Sequence, residues 1–463
     1  MKLPKIKFKS SDSKDSYSMR EKRRGFLTGF TSVHFLLSGF VLLILLGVVL
    51  LSLPISLSKG SSQTFTNALF TATSAVTTTG LTVVDTGTFY SLFGQLVILV
   101  LLQIGGLGYM VFVVSVVLGM RKRLSLKHRM LFHTSMGHLS EDIIKFVRSV
   151  ILFTLFFEGI GAVILTLNFM QDFSLGRAIY LGIFHAISGF CTAGFSPFSN
   201  SFVSYQGNVL LNLTLFIICI AGGIGFFVLY DLRTLFTKIT NRLRPRRLSI
   251  HSKFVMVLST LIMLSGAVTV FSSARGLFKH PLLASLFQTI SASTGTGFST
   301  VNIGGLPSFT LLTIIILMFI GASPGSTGGG IKTTTFGIMF LSLFALLRGR
   351  EDVNLFNRHI SQKTINKAFG IGLIALLVVI LGTLILLVSE RTNFLKIFFE
   401  VVSAFGTVGL STGITSSLST VSKLTLSIIM LIGRVGPLAV GFSLISKAKP
   451  LTYKYAEGEV LVG

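Results

Sequence analysis

The apolar residues fall into long runs and short runs that alternate along the chain. Long runs lie at roughly 34–57, 92–119, 146–169, 208–230, 254–272, 309–347, 366–388 and 424–446. Each offers about the 20 residues a helix needs to cross a bilayer. The sixth is extended and interrupted by glycines. Short runs at 65–76, 179–190, 282–292 and 394–405 sit between the first and second long run of each successive pair. They are too short to cross and suit half-helices that enter and turn back. The pattern predicts an all-α polytopic membrane protein with eight transmembrane and four re-entrant helices. Its four helix–half-helix–helix units lie at 34–120, 145–232, 253–347 and 364–449. A basic arm at 1–33 precedes them and a tail at 450–463 follows.

The short runs share more than length. Phe70, Phe184, Phe287 and Phe399 each stand ten residues before a glycine, and Ser74, Ser188, Ser291 and Ser403 stand six before the same glycine. The four segments that end there are Thr78-Thr79-Gly80, Thr192-Ala193-Gly194, Gly295-Thr296-Gly297 and Thr407-Val408-Gly409. A helix-packing glycine explains one copy. It does not explain four with matching aromatic and hydroxyl offsets. Glycine permits positive φ and close backbone approach. Non-helical backbone at membrane depth survives only where it is buried or lines a wet cavity. Four such loops around one axis would aim carbonyl oxygens at a common line, where they can replace a cation's hydration shell.

Composition supports a membrane chain. Of the 463 residues, 51% are hydrophobic and 12% charged, about half the charged share of soluble domains. Lys and Arg number 40 against 15 Asp and Glu. These cations cluster at 1–33, 121–148, 232–254 and after the sixth span. The positive-inside rule then places both termini in the cytoplasm. Contact with an anionic membrane surface accounts for the basic loops better than nucleic acid does. Cys191 and Cys219 lack the pattern of a disulfide framework or metal cluster. The spans hold no nucleophile–base pair and no carboxylate dyad, so the chain is not read as an enzyme.

Two features point to flux control. The sixth run carries Gly321-Ala322-Ser323-Pro324-Gly325-Ser326-Thr327-Gly328-Gly329-Gly330-Ile331-Lys332. This is not a phosphate-binding loop, because Ile331 separates the last glycine from the lysine. Pro324 and the glycines unwind the helix, and the loop would hang below the four segments as a gate, with plain helix-breaking without gating as the alternative. The second feature is Arg434, which stands where two other copies have Gly106 and Gly223. An arginine at membrane depth costs about 2.5–3.5 kcal/mol, so it is read as facing the permeation path, with snorkelling as the alternative. Glu158 and Glu400 are either ion-related or paired with nearby donors. His185 is read as a packed pore-helix residue.

The residues resemble the Trk/Ktr/HKT superfamily of potassium transporters, most nearly its bacterial KtrB-type membrane subunits. The resemblance rests on Val83-Val84-Asp85-Thr86-Gly87-Thr88, Gln103-Ile104-Gly105-Gly106-Leu107-Gly108, Ser403 to Leu410, Gly330-Ile331-Lys332-Thr333-Thr334-Thr335-Phe336, Gly433-Arg434-Val435-Gly436-Pro437-Leu438 and the tail Tyr455 to Val460. It covers about 34–463 and leaves out the basic arm. It implies four M1–P–M2 repeats with pseudo-fourfold symmetry around one pore, and K⁺ uptake at the plasma membrane as the pore-forming subunit. The alternative is a Trk-type or Na⁺-conducting relative. It further implies a homodimer, Na⁺ stimulation or symport, and a cytosolic KtrA-type ring that binds ATP or ADP. The nucleotide would sit on that ring, and no covalent cofactor is implied. In the family, glycine in all four filters goes with K⁺ preference, which assigns the four segments as filter. The gate maps onto Gly321–Thr335 and the pore arginine onto Arg434.

Overall fold

The computed structural model describes residues 37–108, 143–240, 248–350 and 352–437. The basic arm, the C-terminal tail, most of the 121–148 basic segment and the distal ends of the second and eighth apolar runs lie outside these residues. The chain is mostly helical. In order, α1 is Leu37–Ser52, α2 Phe65–Val76, α3 Thr86–Phe89 and α4 Leu92–Leu107. Then come α5 Ile143–Phe169, α6 Leu175–Phe190, α7 Val209–Gly223 and α8 Phe226–Thr240. They are followed by α9 Ile250–Ala274, α10 Pro281–Thr294, α11 Ser308–Ile320 and α12 Thr333–Leu347. A two-stranded hairpin, β1 Asn354–Leu355 and β2 Arg358–His359, leads to α13 Gln362–Ser389, α14 Phe394–Gly406 and α15 Thr420–Val435.

The helices start where the sequence supplies caps. Thr64, Ser91, Asn208, Ser249, Asn393 and Ser419 accept a backbone N–H of the following turn, satisfying donors a helix start leaves open. The four short helices α2, α6, α10 and α14 match the four short apolar runs. α6 begins four residues before its run, at Leu175.

The short helices sit inside the bundle. α6 packs on α5 and α7, α10 on α9 and α11, and α14 on α13 and α15; α2 packs on α4. The helix that closes each unit also reaches across to the next short helix: α4 to α6, α7 to α10, α11 to α14, and α15 back to α2. The series closes on itself, so the four short helices surround a centre. Phe70, Phe184 and Phe399 are fully buried and Phe287 nearly so. Within a bilayer, close van der Waals packing rather than water exclusion holds such contacts.

One span differs from the continuous helix expected over 208–230. α7 and α8 meet at a 101° bend. Gly225 takes φ +98° there, and the Phe226 N–H donates to Gly325 O at 2.9 Å instead of continuing the α7 ladder. The run therefore enters as one helix and leaves at nearly a right angle. α4, α11 and α15 likewise stop at Gly108, Gly321 and Gly436, with φ of +77°, +70° and +100°. Among the described residues, three unbroken helices are long and apolar enough to cross a membrane: those in α5, α9 and α13.

Candidate functional site

Each short helix ends in a backbone of alternating sign. Thr78, Thr192, Gly295 and Thr407 have φ of +53°, +49°, +75° and +50°. Gly80, Gly194, Gly297 and Gly409, two residues on, have φ of +84°, +66°, +84° and +90°. The residues between them, Thr79, Ala193, Thr296 and Val408, do not. Their N–H groups donate back to Ser74 O, Ser188 O, Ser291 O and Ser403 O at 2.8, 2.8, 2.8 and 2.9 Å. The serine-to-glycine spacing thus has a mechanical origin, since the serine carbonyl pins the same loop atom in every copy. The side chain after each glycine anchors the far end. Leu81, Phe195, Phe298 and Leu410 are all buried in the core.

The four loops touch in sequence. A Cβ added to Gly80 would lie 2.1 Å from Ala193 O, one on Gly194 2.4 Å from Thr296 O, one on Gly297 1.9 Å from Val408 O, and one on Gly409 2.0 Å from Thr79 O. The chain of neighbours runs from first copy to second, third, fourth and back to the first. Each glycine is required because the preceding residue's carbonyl in the next loop occupies its Cβ space. The result is a ring of four backbone oxygens. On one side of it lies a cavity of about 550 Å³ whose lining includes all four glycines.

The position one residue after each buried phenylalanine carries a polar group. Glu400 is fully buried and accepts from the Ser411 hydroxyl at 2.7 Å, the Thr412 N–H at 2.9 Å and the Thr412 and Thr415 hydroxyls at 3.2 and 2.9 Å. His185 Nδ1 donates to Leu181 O and its Nε2 accepts from the Ser196 hydroxyl, both at 2.8 Å, while its ring lies among Phe198, Phe202 and Phe169. Gln288 Nε2 donates to Thr300 Oγ1 at 3.2 Å. These groups tie three loops to their own helices. The common register was visible in the sequence as a polar residue next to each phenylalanine, but only the contacts reveal its use. Glu158 pairs with the Gln103 amide at 3.2 Å, beside the Cys191 thiol.

The other side of the ring is occupied by the segment between α11 and α12. It touches all four loops. Thr78 Oγ1 donates to Thr327 O at 3.3 Å, and the Thr192 and Thr327 hydroxyls are 3.0 Å apart. A Cβ on Gly328 would lie 2.8 Å from Thr294 O. The Gly329 N–H donates to Thr407 Oγ1 at 2.9 Å. The segment is also fastened to α7, with Ser323 N and Thr327 N donating to Gly223 O and Gly222 O at 3.1 and 3.2 Å. Ser326 Oγ donates to Ser323 O at 2.6 Å, and Pro324 O lies against Gly225. Gly321, Gly325, Gly330 and Lys332 take positive φ, so the chain folds back within a dozen residues. The Lys332 ammonium donates to Gly328 O inside the segment.

Arg434 completes the arrangement. Gly105, Gly222 and Gly433 each lie against the end of their own short helix, at Val76, Phe190 and Phe405. Gly106 and Gly223 lie against the next one, at Cys191 and Thr294. In the fourth copy Arg434 replaces this second glycine. Its guanidinium donates to Thr327 O and Gly105 O, and to Gly106 O at 3.1 Å. It therefore clasps the central segment to the end of α4 rather than snorkelling away. Charge-assisted bonds of about 1.5–3 kcal/mol each offset the cost of holding the cation there.

Comparison with known proteins agrees with this architecture. The profile of the TrkH family, described as a cation transport protein, matches residues 39–448. The Ktr system potassium uptake protein B of Bacillus subtilis is 40% identical, over 94% of this chain and 97% of its own. The potassium/sodium uptake protein NtpJ of Enterococcus hirae is 34% identical, over 93% of this chain and 97% of its own. The crystal structure of the potassium transporter TrkH from Vibrio parahaemolyticus superposes with a TM-score of 0.67 at 21% identity, covering 88% of this chain and 85% of that one. The chain belongs to the TrkH family of cation transport proteins.

Proposed function

We propose that this chain is the pore-forming subunit of a K⁺ uptake system at the plasma membrane, built from four M1–P–M2 units about one pathway. The observation that carries the reading is the closed ring in which Thr79, Ala193, Thr296 and Val408 present their carbonyls to the next loop's glycine. Backbone oxygens held this way substitute for water around an alkali cation. The amide groups that hold them are already paired with the serine carbonyls, so the ring keeps its shape when an ion leaves. Membrane potential drives the cation inward with about 2.3 kcal/mol per charge per 100 mV.

The 321–332 segment is the gate in this reading. It fills the space beneath the ring, and Arg434 adds a positive charge where a cation would pass. Opening requires the segment to release Thr407 and Arg434. A cytosolic nucleotide-binding ring of the KtrA type, docked on a homodimer of this chain, is the proposed source of that displacement. The uneven distribution of Lys and Arg supports cytoplasmic termini. The relative whose name includes sodium keeps Na⁺ conduction as the second reading.

The test is ⁸⁶Rb⁺ uptake into liposomes holding the purified chain, with K⁺ and Na⁺ as competitors. Uptake blocked by K⁺ at concentrations where Na⁺ has little effect supports the proposal. Equal competition favours the Na⁺-conducting alternative, and liposomes no more permeable than empty ones reject both.

A further inference from the structure

The cavity above the ring is lined by hydroxyls, amides, backbone and a few apolar side chains such as Phe198 and Val203, and Asp85 is the one titratable side chain among its described lining residues. Asp85 Oδ1 accepts the Gly87 and Thr88 N–H groups at 2.8 and 3.0 Å. The turn that carries it is fixed, because a Cβ on Gly87 would lie 1.9 Å from Pro197 O of the second copy. Among the described residues it makes no ion pair.

The third copy supplies an internal comparison. Asn302 stands five residues after Gly297, as Asp85 does after Gly80. Asn302 Oδ1 accepts the Gly304 N–H at 3.1 Å, the same capping geometry made with a neutral amide. The other two copies have Ser199 and Ile414 at this offset. Capping therefore accounts for a side-chain oxygen at this position but not for a charge. In a chain of net charge +25, a carboxylate held beside the mouth of a cation pathway has an electrostatic consequence. A cleft lined by one sign of charge raises the local concentration of the opposite ion.

We infer that Asp85 concentrates monovalent cations in the cavity above the ring and so sets the apparent affinity for K⁺, acting before the ion reaches the filter. The inference rests on the pore reading above. Asp85→Asn keeps the cap, since Asn and Asp are comparable there, and removes only the charge. At low ionic strength it should raise the apparent KM for K⁺ about fivefold, an order of magnitude set by one charge acting through water. Its maximal rate should stay within about twofold. The difference should shrink as added salt shortens the Debye length to about 3 Å.

The decisive variant is the double substitution Asp85→Asn with Asn302→Asp, which moves the charge to the equivalent place in the third copy. Recovery of the wild-type KM supports an electrostatic role, because a purely structural role of Asp85 gives no reason for rescue at residue 302. An unchanged KM in Asp85→Asn at low salt overturns the inference. So does a folded, monodisperse double variant that keeps the raised KM. Either outcome, with wild-type Rb⁺ uptake and K⁺ preference intact, leaves the pore reading standing. Loss of those wild-type properties would strike the pore reading itself.

Discussion

Replacing Gly297 with serine places an atom where the ring has no room. The new Cβ would lie 1.9 Å from Val408 O and 3.2 Å from Gly409 Cα. Relief of the oxygen contact requires the third and fourth loops to part by about 1 Å, since an ordinary contact needs 3 Å or more. The backbone adds its own penalty, because φ is +84° and an L-residue there costs about 1–2 kcal/mol. The bonds that the Thr296 and Val408 N–H groups donate to the Ser291 and Ser403 carbonyls resist the movement, so the strain falls on the carbonyl ring. A loss of about 1.4 kcal/mol in K⁺ over Na⁺ preference corresponds to tenfold in selectivity, and that is the expected order. Gly60→Ser is the control. It shares φ +85° but meets nothing within 4 Å, so it imposes backbone strain without crowding the ring. Competition of K⁺ and Na⁺ for ⁸⁶Rb⁺ uptake measures both variants. Wild-type selectivity in a folded Gly297→Ser protein, or an equal loss in Gly60→Ser, would refute the reasoning.

Arg434→Ala removes the clasp between Thr327 and the end of α4 and should raise basal Rb⁺ flux several-fold. Arg434→Lys should restore it only in part, since a point ammonium cannot span the same carbonyls. Wild-type flux in the alanine variant would return Arg434 to a packing role. Shortening residues 322–330 should raise leak flux in the absence of any cytosolic partner, and an unchanged leak would remove the segment as gate. Glu400→Gln leaves a single amide oxygen, which can keep the Ser411 and Thr412 donors, and turns an NH₂ toward the Thr415 hydroxyl that donated to the second carboxylate oxygen. An unmatched buried polar group costs about 1–3 kcal/mol, so the melting temperature should drop and selectivity should loosen. A variant with wild-type melting and selectivity would show that the fourth loop does not depend on this carboxyl group.

Hydropathy placed a helix in each long run, and among the described residues an unbroken helix of membrane length in α5, α9 and α13, because a bilayer demands length and apolarity that few other roles impose. The repeat located the loops, because the same serine carbonyl holds the same N–H in every copy and so fixes the spacing. The bend at Gly225 was hidden. Gly222-Gly223-Ile224-Gly225 reads as a packing motif, and the first two glycines do pack against Phe190 and Thr294. The third instead ends the helix at positive φ, a use that glycine serves equally well and that composition does not distinguish. The support given by Glu400, His185 and Gln288 was hidden for another reason. Three different side chains perform one task, so no residue identity repeats. Arg434 was the reverse case. An arginine in place of a repeated glycine is conspicuous, but its partners lie 107 and 329 residues away in sequence and only the fold brings them together.

Selective uptake through this fold requires a cation to sit among the four loops. Anomalous diffraction from crystals of the purified chain grown in Rb⁺ tests this directly. The predicted result is a peak on the ring axis, framed by the carbonyls of Thr79, Ala193, Thr296 and Val408, that fades when Rb⁺ is replaced by Na⁺. A well-ordered ring with no Rb⁺ density, or Rb⁺ bound only elsewhere on the chain, would contradict it.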